Sequence, residues 1–177
     1  MDDVVNTTIA RKVVLLGDQN VGKTCIVLRY VEGTFGTDVT STIGAFFLSK
    51  KVNINNNNIK LQIWDTAGQE KYRGLMPMYY RNADIVFLCM DLSQDITKVT
   101  RSYKYWLSEL SHHSDNHNAI LVTIGTKLDL RSDLLTTDNM RDIINDSEQL
   151  YYETSSKEDI GIKQLFEECV DKCIPIV

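Results

Sequence analysis

The chain has 177 residues, of which 43% are apolar and 24% are charged. This size suits one domain, and the composition excludes disordered, collagen-like and coiled-coil proteins. The net charge of −5 gives no reason to expect nucleic-acid binding, and no apolar run reaches a membrane span. The four cysteines lack metal-type spacing, and the N-terminus lacks a secretory signal. We expect a cytoplasmic, single-domain protein with reduced cysteines, spanning residues 1–177.

Apolar segments alternate with amphipathic segments along the chain. The predicted strands are residues 12–16, 45–54, 59–64, 84–90, 119–125 and 150–152. An asparagine-rich turn separates the second strand from the third, which predicts a hairpin. A helix is predicted over residues 22–31, and apolar residues recur with the helical period over residues 99–110 and 162–173.

The order of these elements predicts the fold class. The runs at residues 84–90 and 119–125 are apolar throughout, as in strands that are buried on both faces. Strands that alternate with helices favour an α/β fold, an open and mostly parallel six-stranded sheet with helices on both faces. Ligands bind such sheets beyond the carboxyl ends of the strands, here after Leu16, Trp64, Met90 and Gly125. Three of these four places carry a motif.

The first motif, GDQNVGKT, lies at residues 17–24 between a predicted strand and a predicted helix. It matches the P-loop pattern, in which backbone N–H groups and a helix N-terminus bind phosphate. Lys23 would reach the β- and γ-phosphates, and the Thr24 hydroxyl would bind Mg²⁺. A chance match has a probability of about 1% in a chain of this length. The predicted phosphate-binding residues are Gln19, Asn20, Val21, Gly22, Lys23, Thr24 and Cys25.

The second motif, DTAGQ, lies at residues 65–69, directly after a predicted strand. Asp65 stands where a P-loop protein holds its metal ion, and Gly68 would offer a backbone N–H to the γ-phosphate. Gln69 has an amide that both donates and accepts, so it could orient an attacking water. An isolated aspartate at a strand end is more often a helix N-cap, by roughly two to one. The P-loop upstream favours the metal-binding role.

The third motif, TKLD, follows the strand at residues 119–125, and ETSSK follows the last strand. The Asp129 carboxylate can accept both guanine N–H donors, for which adenine has no counterpart. The Lys127 stem can lie across the base, and backbone N–H groups near Ser155, Ser156 and Lys157 could meet the base carbonyl. Each of these motifs is weak by itself, since Lys, Asp and Ser are common surface residues.

Together these motifs resemble those of the Ras-superfamily small GTPases, and most closely those of the Rab family. The resemblance covers residues 11–170 and includes STIGAFF at 41–47, KLQIW at 60–64 and YYRNA at 79–83. It implies a P-loop NTPase G domain that binds GTP or GDP with Mg²⁺ and hydrolyses GTP slowly. It further implies a molecular switch in vesicle-mediated transport, with effector, exchange-factor and GTPase-activating proteins as partners.

The resemblance also assigns roles to single residues. Thr42 resembles the switch I threonine that binds Mg²⁺ and the γ-phosphate, so the implied metal ligands are Thr24, Thr42 and Asp65. Phe35 resembles the aromatic residue that packs against guanine. Phe47, Trp64 and Tyr79 resemble a hydrophobic triad that Rab proteins show to effectors. Without the family pattern, isolated aromatics of this kind would be core residues, by about three to one.

The sequence departs from the family pattern at a few positions. Thr126 replaces the usual asparagine in a Rho-like TKxD motif, which predicts retained guanine specificity and faster nucleotide release. Gln19 and Asn20 are bulky for their positions in the P-loop, which predicts slow hydrolysis. Val39 replaces a frequent switch I tyrosine, which predicts looser closure over the phosphates. Ser156 replaces an alanine, with little effect expected.

The chain ends directly after its last predicted helix, where Rab proteins carry a prenylated tail. We expect this tail to be absent from residues 1–177, so membrane association would need a lipidated segment outside them. Cys173 does not fit a C-terminal prenylation motif, and it continues the apolar stripe of the last helix. Two alternatives stay open: a nucleotide-bound interaction module that does not hydrolyse GTP, and an ATPase or kinase, which the guanine motif disfavours.

Overall fold

The computed structural model of the protein describes residues 8–36, 41–113, 119–146 and 148–174. Strands and helices alternate along these residues. The strands are β1 (Thr8–Leu16), β2 (Ala45–Ile54), β3 (Asn57–Thr66), β4 (Ile85–Asp91), β5 (Ile120–Thr126) and β6 (Leu150–Glu153). The helices are α1 (Lys23–Glu32), α2 (Met76–Tyr80), α3 (Ile96–His113), α4 (Thr137–Ile144) and α5 (Ile162–Asp171).

The strands form one six-stranded sheet in the order β2-β3-β1-β4-β5-β6. Of the strands in the described residues, only β2 is antiparallel to its neighbour, and the others pair in parallel. This confirms the predicted mostly parallel sheet. Strand β1 begins four residues earlier than predicted, because its polar half pairs with β3 from Thr8 opposite Asn58. The carboxyl ends of β1, β3, β4 and β5 lie at one edge of the sheet.

Helices cover both faces of the sheet, as predicted. One apolar cluster joins α1 and α5 to the sheet, with Tyr30 stacked on Phe166 at a centroid distance of 3.8 Å. The other cluster joins α2, α3 and α4 to the opposite face, with Tyr103 and Trp106 among its largest buried side chains. Cys173 packs against the first cluster, which confirms its predicted packing role.

The sequence did not predict two helices. Helix α2 has only five residues and carries a proline in its first turn. Helix α4 has eight residues, and its N-cap is Thr136, whose hydroxyl accepts a bond from the Asn139 N–H in a capping box. The predicted hairpin turn is confirmed, with Asn55 and Asn56 at φ 49° and 64°, but β3 already begins at Asn57.

Some predictions lie outside the described part of the chain. Val39 and residues 175–177 are not among the described residues, so the predicted effect of Val39 stays a prediction. Within the described ranges, no helix combines the length and hydrophobicity that crossing a bilayer requires.

Candidate functional site

The loop between β1 and α1 wraps around the amino group of Lys23. This side chain is 5% exposed, and its Nζ donates to the carbonyls of Gly17 at 2.8 Å and Asp18 at 2.7 Å. Burial lowers the pKa of Lys23. Asn20 and Gly22 adopt left-handed conformations, with φ values of 64° and 97°. The loop therefore wraps around the buried Lys23 ammonium at the N-terminus of α1. This arrangement is typical of a site that binds an anion such as phosphate.

Three oxygen-bearing side chains converge beside this loop. The Thr24 hydroxyl donates to Asp65 Oδ2 at 2.6 Å, and the Thr42 hydroxyl donates to the same atom at 3.3 Å. The two hydroxyl oxygens lie 3.1 Å apart. Asp65 is 1% exposed, and its buried Oδ1 has no hydrogen-bond partner among the described residues. Burial raises the pKa of Asp65 against the opposing hydroxyl bonds. A buried, unpaired carboxylate oxygen with two hydroxyls suits a hard divalent cation such as Mg²⁺.

The segment after β3 lies directly on the P-loop. A Cβ on Gly68 would lie 2.3 Å from the Asp18 carbonyl carbon, so only glycine allows this contact. Gln69 precedes a 3₁₀ turn at Glu70–Leu75 and lines the same opening as Lys23. Across the opening, the Gln19 amide donates to the Ser41 hydroxyl at 3.3 Å.

These segments enclose a cleft of about 370 Å³. Most of the predicted site residues line it: Gln19, Asn20, Gly22, Lys23, Thr24, Cys25, Phe35, Thr42, Gly68, Gln69 and Lys127. Val21 instead lines an adjoining cavity of about 230 Å³, and Asp65 lies beneath Thr24. Five other predicted residues do not line the cleft, namely Thr126, Asp129, Ser155, Ser156 and Lys157.

The Thr126 hydroxyl links the end of β5 to the P-loop and to β4. Its Oγ1 lies 2.5 Å from the Val21 carbonyl and 3.1 Å from the Met90 carbonyl, and the residue is 2% exposed. A hydroxyl carries one proton, so Thr126 donates to one carbonyl at a time. The hydroxyl therefore supplies one bond toward the P-loop, whereas the amide of the usual asparagine can both donate and accept.

The guanine-motif residues are held by neighbours. Ser155 is fully buried, and its hydroxyl donates to Asp129 Oδ1 at 2.6 Å. The Lys157 ammonium lies 3.7 Å from Glu158 and is exposed. The loop that carries Ser155 and Lys157 therefore meets the Asp129 loop directly, at the end of the cleft marked by Phe35 and Lys127.

The sequence analysis missed two residues that hold this end of the cleft. Arg29 of α1 donates to the Ser156 carbonyl at 2.7 Å and the Lys157 carbonyl at 3.3 Å, and its guanidinium lies 6.0 Å from the Phe35 ring centroid. Asp91 ends β4 and accepts from Lys127 Nζ at 2.7 Å. The sequence offered one indication for Asp91. The end of β4 was among the four strand ends at which a ligand was expected, and it was the one that carried no motif.

Comparisons with known proteins agree with this geometry. Residues 12–175 match the sequence profile of the Ras family. The chain is 44% identical to the putative ras-related protein Rab-5B of Dictyostelium discoideum over 92% of this chain and 75% of that protein. It is 38% identical to the human Ras-related protein Rab-30 over 88% of this chain and 75% of that protein. The chain belongs to the Rab family of Ras-type small GTPases.

Membership of the Rab family fixes the class of chemistry at this site. The fold is the P-loop NTPase G domain, and the protein is a GTP hydrolase of the Rab type. Rab proteins bind guanine nucleotides and act with regulators and effectors. The alternatives of a module that does not hydrolyse GTP and of an ATPase or kinase are not favoured.

An aromatic face lies on the β2–β3 side of this Rab domain. Phe47 and Trp64 are paired across the two strands with ring centroids 5.1 Å apart, and Tyr79 of α2 lies 5.8 Å from Trp64. Phe47 is 46% exposed, and Trp64 and Tyr79 are half-buried. The three rings thus form one partly accessible surface, and Trp64 and Tyr79 also pack against the second apolar cluster. The three residues lie together, as the family resemblance implied.

Proposed function

We propose that the cleft binds GTP or GDP together with Mg²⁺ and that its two flanking loops form a switch in membrane trafficking. The observation that carries this proposal is the convergence of Thr24, Thr42 and Asp65 beside the Lys23 loop. Thr42 belongs to a segment that also meets the P-loop through Ser41. A γ-phosphate and its cation would hold this segment closed, and hydrolysis would release it.

The residues of the cleft have separate roles in hydrolysis. The buried Lys23 ammonium stabilises charge on the phosphate oxygens, and the Gly68 N–H adds a donor. Gln69 orients a water whose oxygen forms a bond to the γ-phosphorus. The bond from that phosphorus to the β–γ bridging oxygen breaks, and a proton of the water passes to a phosphate oxygen, which leaves GDP and inorganic phosphate. Thr24, Thr42 and Asp65 would hold Mg²⁺, which neutralises phosphate charge when bound.

The opposite end of the cleft would bind the base and select guanine. Asp129 would accept from the guanine N–H donors, with Ser155 fixing one of its oxygens. Phe35 and the Lys127 stem would flank the base, and backbone groups of the loop at Ser156 and Lys157 would complete the contact. The substitution Asp129→Asn should weaken GTP binding and favour xanthosine triphosphate, and unchanged GTP affinity would refute the guanine assignment.

The aromatic face would bind effector proteins. Phe47, Trp64 and Tyr79 lie on elements that lead directly into the loops of the cleft, since β2 begins three residues after Thr42. We take residues 1–177 as one G domain. This switch would act at the cytosolic face of endomembranes.

Single-turnover hydrolysis tests the proposal. We expect protein preloaded with GTP and Mg²⁺ to form GDP at about 10⁻⁴ to 10⁻² per second, as for relatives without a trans arginine. Gln69→Leu should abolish this conversion while GTP remains bound. Gln164→Leu, the same replacement on the exposed face of α5, should leave it unchanged. GTP that stays intact for hours in the unmodified protein would contradict hydrolysis by these residues alone.

A further inference from the structure

The carboxyl end of β4 holds a buried carboxylate. Asp91 is 6% exposed, and its Oδ1 accepts from the Ser93 N–H at 2.9 Å and the Ser93 hydroxyl at 2.6 Å. Its Oδ2 accepts from Lys127 Nζ at 2.7 Å and from the Gln94 amide at 3.3 Å. Burial alone would raise the pKa of Asp91, but these bonds outweigh it and hold the pKa below its usual value. Asp91 is therefore a carboxylate with a fixed geometry.

Lys127 forms a wall between two cavities. Its side chain lines both the nucleotide cleft and the adjoining 230 Å³ cavity, whereas Asp91 lines only the adjoining cavity. The bond to Asp91 therefore holds the ammonium group on the side of the adjoining cavity, away from the nucleotide cleft. The Lys127 carbon stem crosses beside the P-loop, where a Cβ on Gly22 would lie 4.0 Å from Lys127 Cε.

Backbone geometry does not by itself hold the side chain there. Lys127 adopts a left-handed conformation at φ 55°, and its carbonyl accepts from the Leu130 N–H at 2.8 Å. These features fix the backbone, but a four-carbon side chain keeps its rotational freedom. The Asp91 bond is the contact that orders its far end.

We propose that Asp91 is a positioning residue for nucleotide binding, which holds the Lys127 ammonium so that the lysine stem lies along the base end of the cleft. The inference rests on the proposed function, because the stem has a role only if a base binds there. Removing the Asp91 charge leaves a half-buried ammonium without its partner, which is costly. The Lys127 side chain would then turn toward solvent or the phosphates, and the base would lose its contact with the lysine stem.

A double-mutant cycle on GDP dissociation tests this inference. The rate is measured by displacement of a fluorescent GDP from the unmodified protein, Asp91→Asn, Lys127→Met and the double variant. We expect Asp91→Asn to release GDP about tenfold faster or more. If Asp91 acts through Lys127, the double variant should release GDP within about twofold of Lys127→Met alone.

The control is a second aspartate of the same loop. Asp95 accepts from the Lys98 N–H at 2.9 Å at the start of α3, so Asp95→Asn perturbs the loop without touching Lys127. Its GDP dissociation rate should stay within about twofold of the unmodified protein. Asp91→Glu, which keeps the charge, should recover part of the loss.

Two results would overturn the inference. One is an unchanged rate in Asp91→Asn, and the other is a double variant whose acceleration equals the product of the single effects, as expected for a separate structural role. Failure of the unmodified protein to retain GDP would instead refute the proposed function. The two failures are thus distinguishable in one assay.

Discussion

Replacing Thr126 with valine should accelerate nucleotide release without abolishing binding. Valine has nearly the shape of threonine, so the change removes the hydroxyl and leaves the packing of β5. The hydroxyl that lies 2.5 Å from the Val21 carbonyl links β5 to the P-loop at a site that is 2% exposed. Its loss leaves a carbonyl at the rim of the phosphate loop without this donor.

The size of the expected effect on GDP release follows from the loss of the one hydrogen bond that the hydroxyl can donate. One hydrogen bond is lost and one buried acceptor loses its donor, which costs about 1–3 kcal/mol. If this cost destabilises the GDP-bound state, the rate constant of GDP dissociation should rise by a factor of about 5 to 150. The assay is displacement of fluorescent GDP by excess unlabelled GDP, with Mg²⁺ present throughout.

A second buried threonine on the same strand supplies the control. Thr123 is fully buried, and its hydroxyl accepts from the Gln149 amide at 2.7 Å, away from the P-loop. Thr123→Val should lower the free energy of unfolding by a similar amount and leave GDP release unchanged. Equal acceleration in both variants, or none in Thr126→Val, would refute the reasoning.

Three further predictions concern other parts of the molecule. Arg29→Ala removes the donor to two carbonyls of the loop after β6 and should speed fluorescent GDP release, so an unchanged rate would argue against that role. Gly68→Ala places a methyl group 2.3 Å from the Asp18 carbonyl carbon and should slow GTP hydrolysis at least about 100-fold, read as GDP formed, while GDP still binds. Phe166→Ala empties a fully buried site and should cost about 3–5 kcal/mol in urea unfolding. Phe46→Ala, at 56% exposed, should cost less than about 1 kcal/mol, and equal losses would contradict the assigned core.

The sequence predicted the phosphate end of the site because local chemistry determines it. Lys23, Thr24 and Asp65 lie in short motifs whose residue types follow from binding phosphate and a cation. The same holds for the sheet, since the apolar run that became β4 is buried at every position. These features depend on neighbours in sequence, so they are visible without a structure.

The supporting contacts could not be predicted, because their partners are distant in sequence. Arg29 bonds to Ser156, 127 positions away, and Asp91 bonds to Lys127, 36 positions away. No local motif marks Arg29, and Asp91 is marked only by its place at the end of a predicted strand, which does not distinguish it from a turn aspartate. Helix α4 was missed for another reason: it has only eight residues, and its start depends on a capping box rather than on a long apolar stripe.

The β2–β3 hairpin has a thermodynamic consequence. Ala45 pairs with Thr66 at its open end, and the Ala67 N–H donates to the Gly44 carbonyl at 2.8 Å, so both loops of the cleft start from one joint. Phe47 and Trp64 pair two residues further along the hairpin. A protein that binds these rings and prefers one arrangement of the joint also changes nucleotide affinity. By reciprocity, if GTP strengthens that partner tenfold over GDP, the partner must strengthen GTP tenfold over GDP, without contacting either nucleotide.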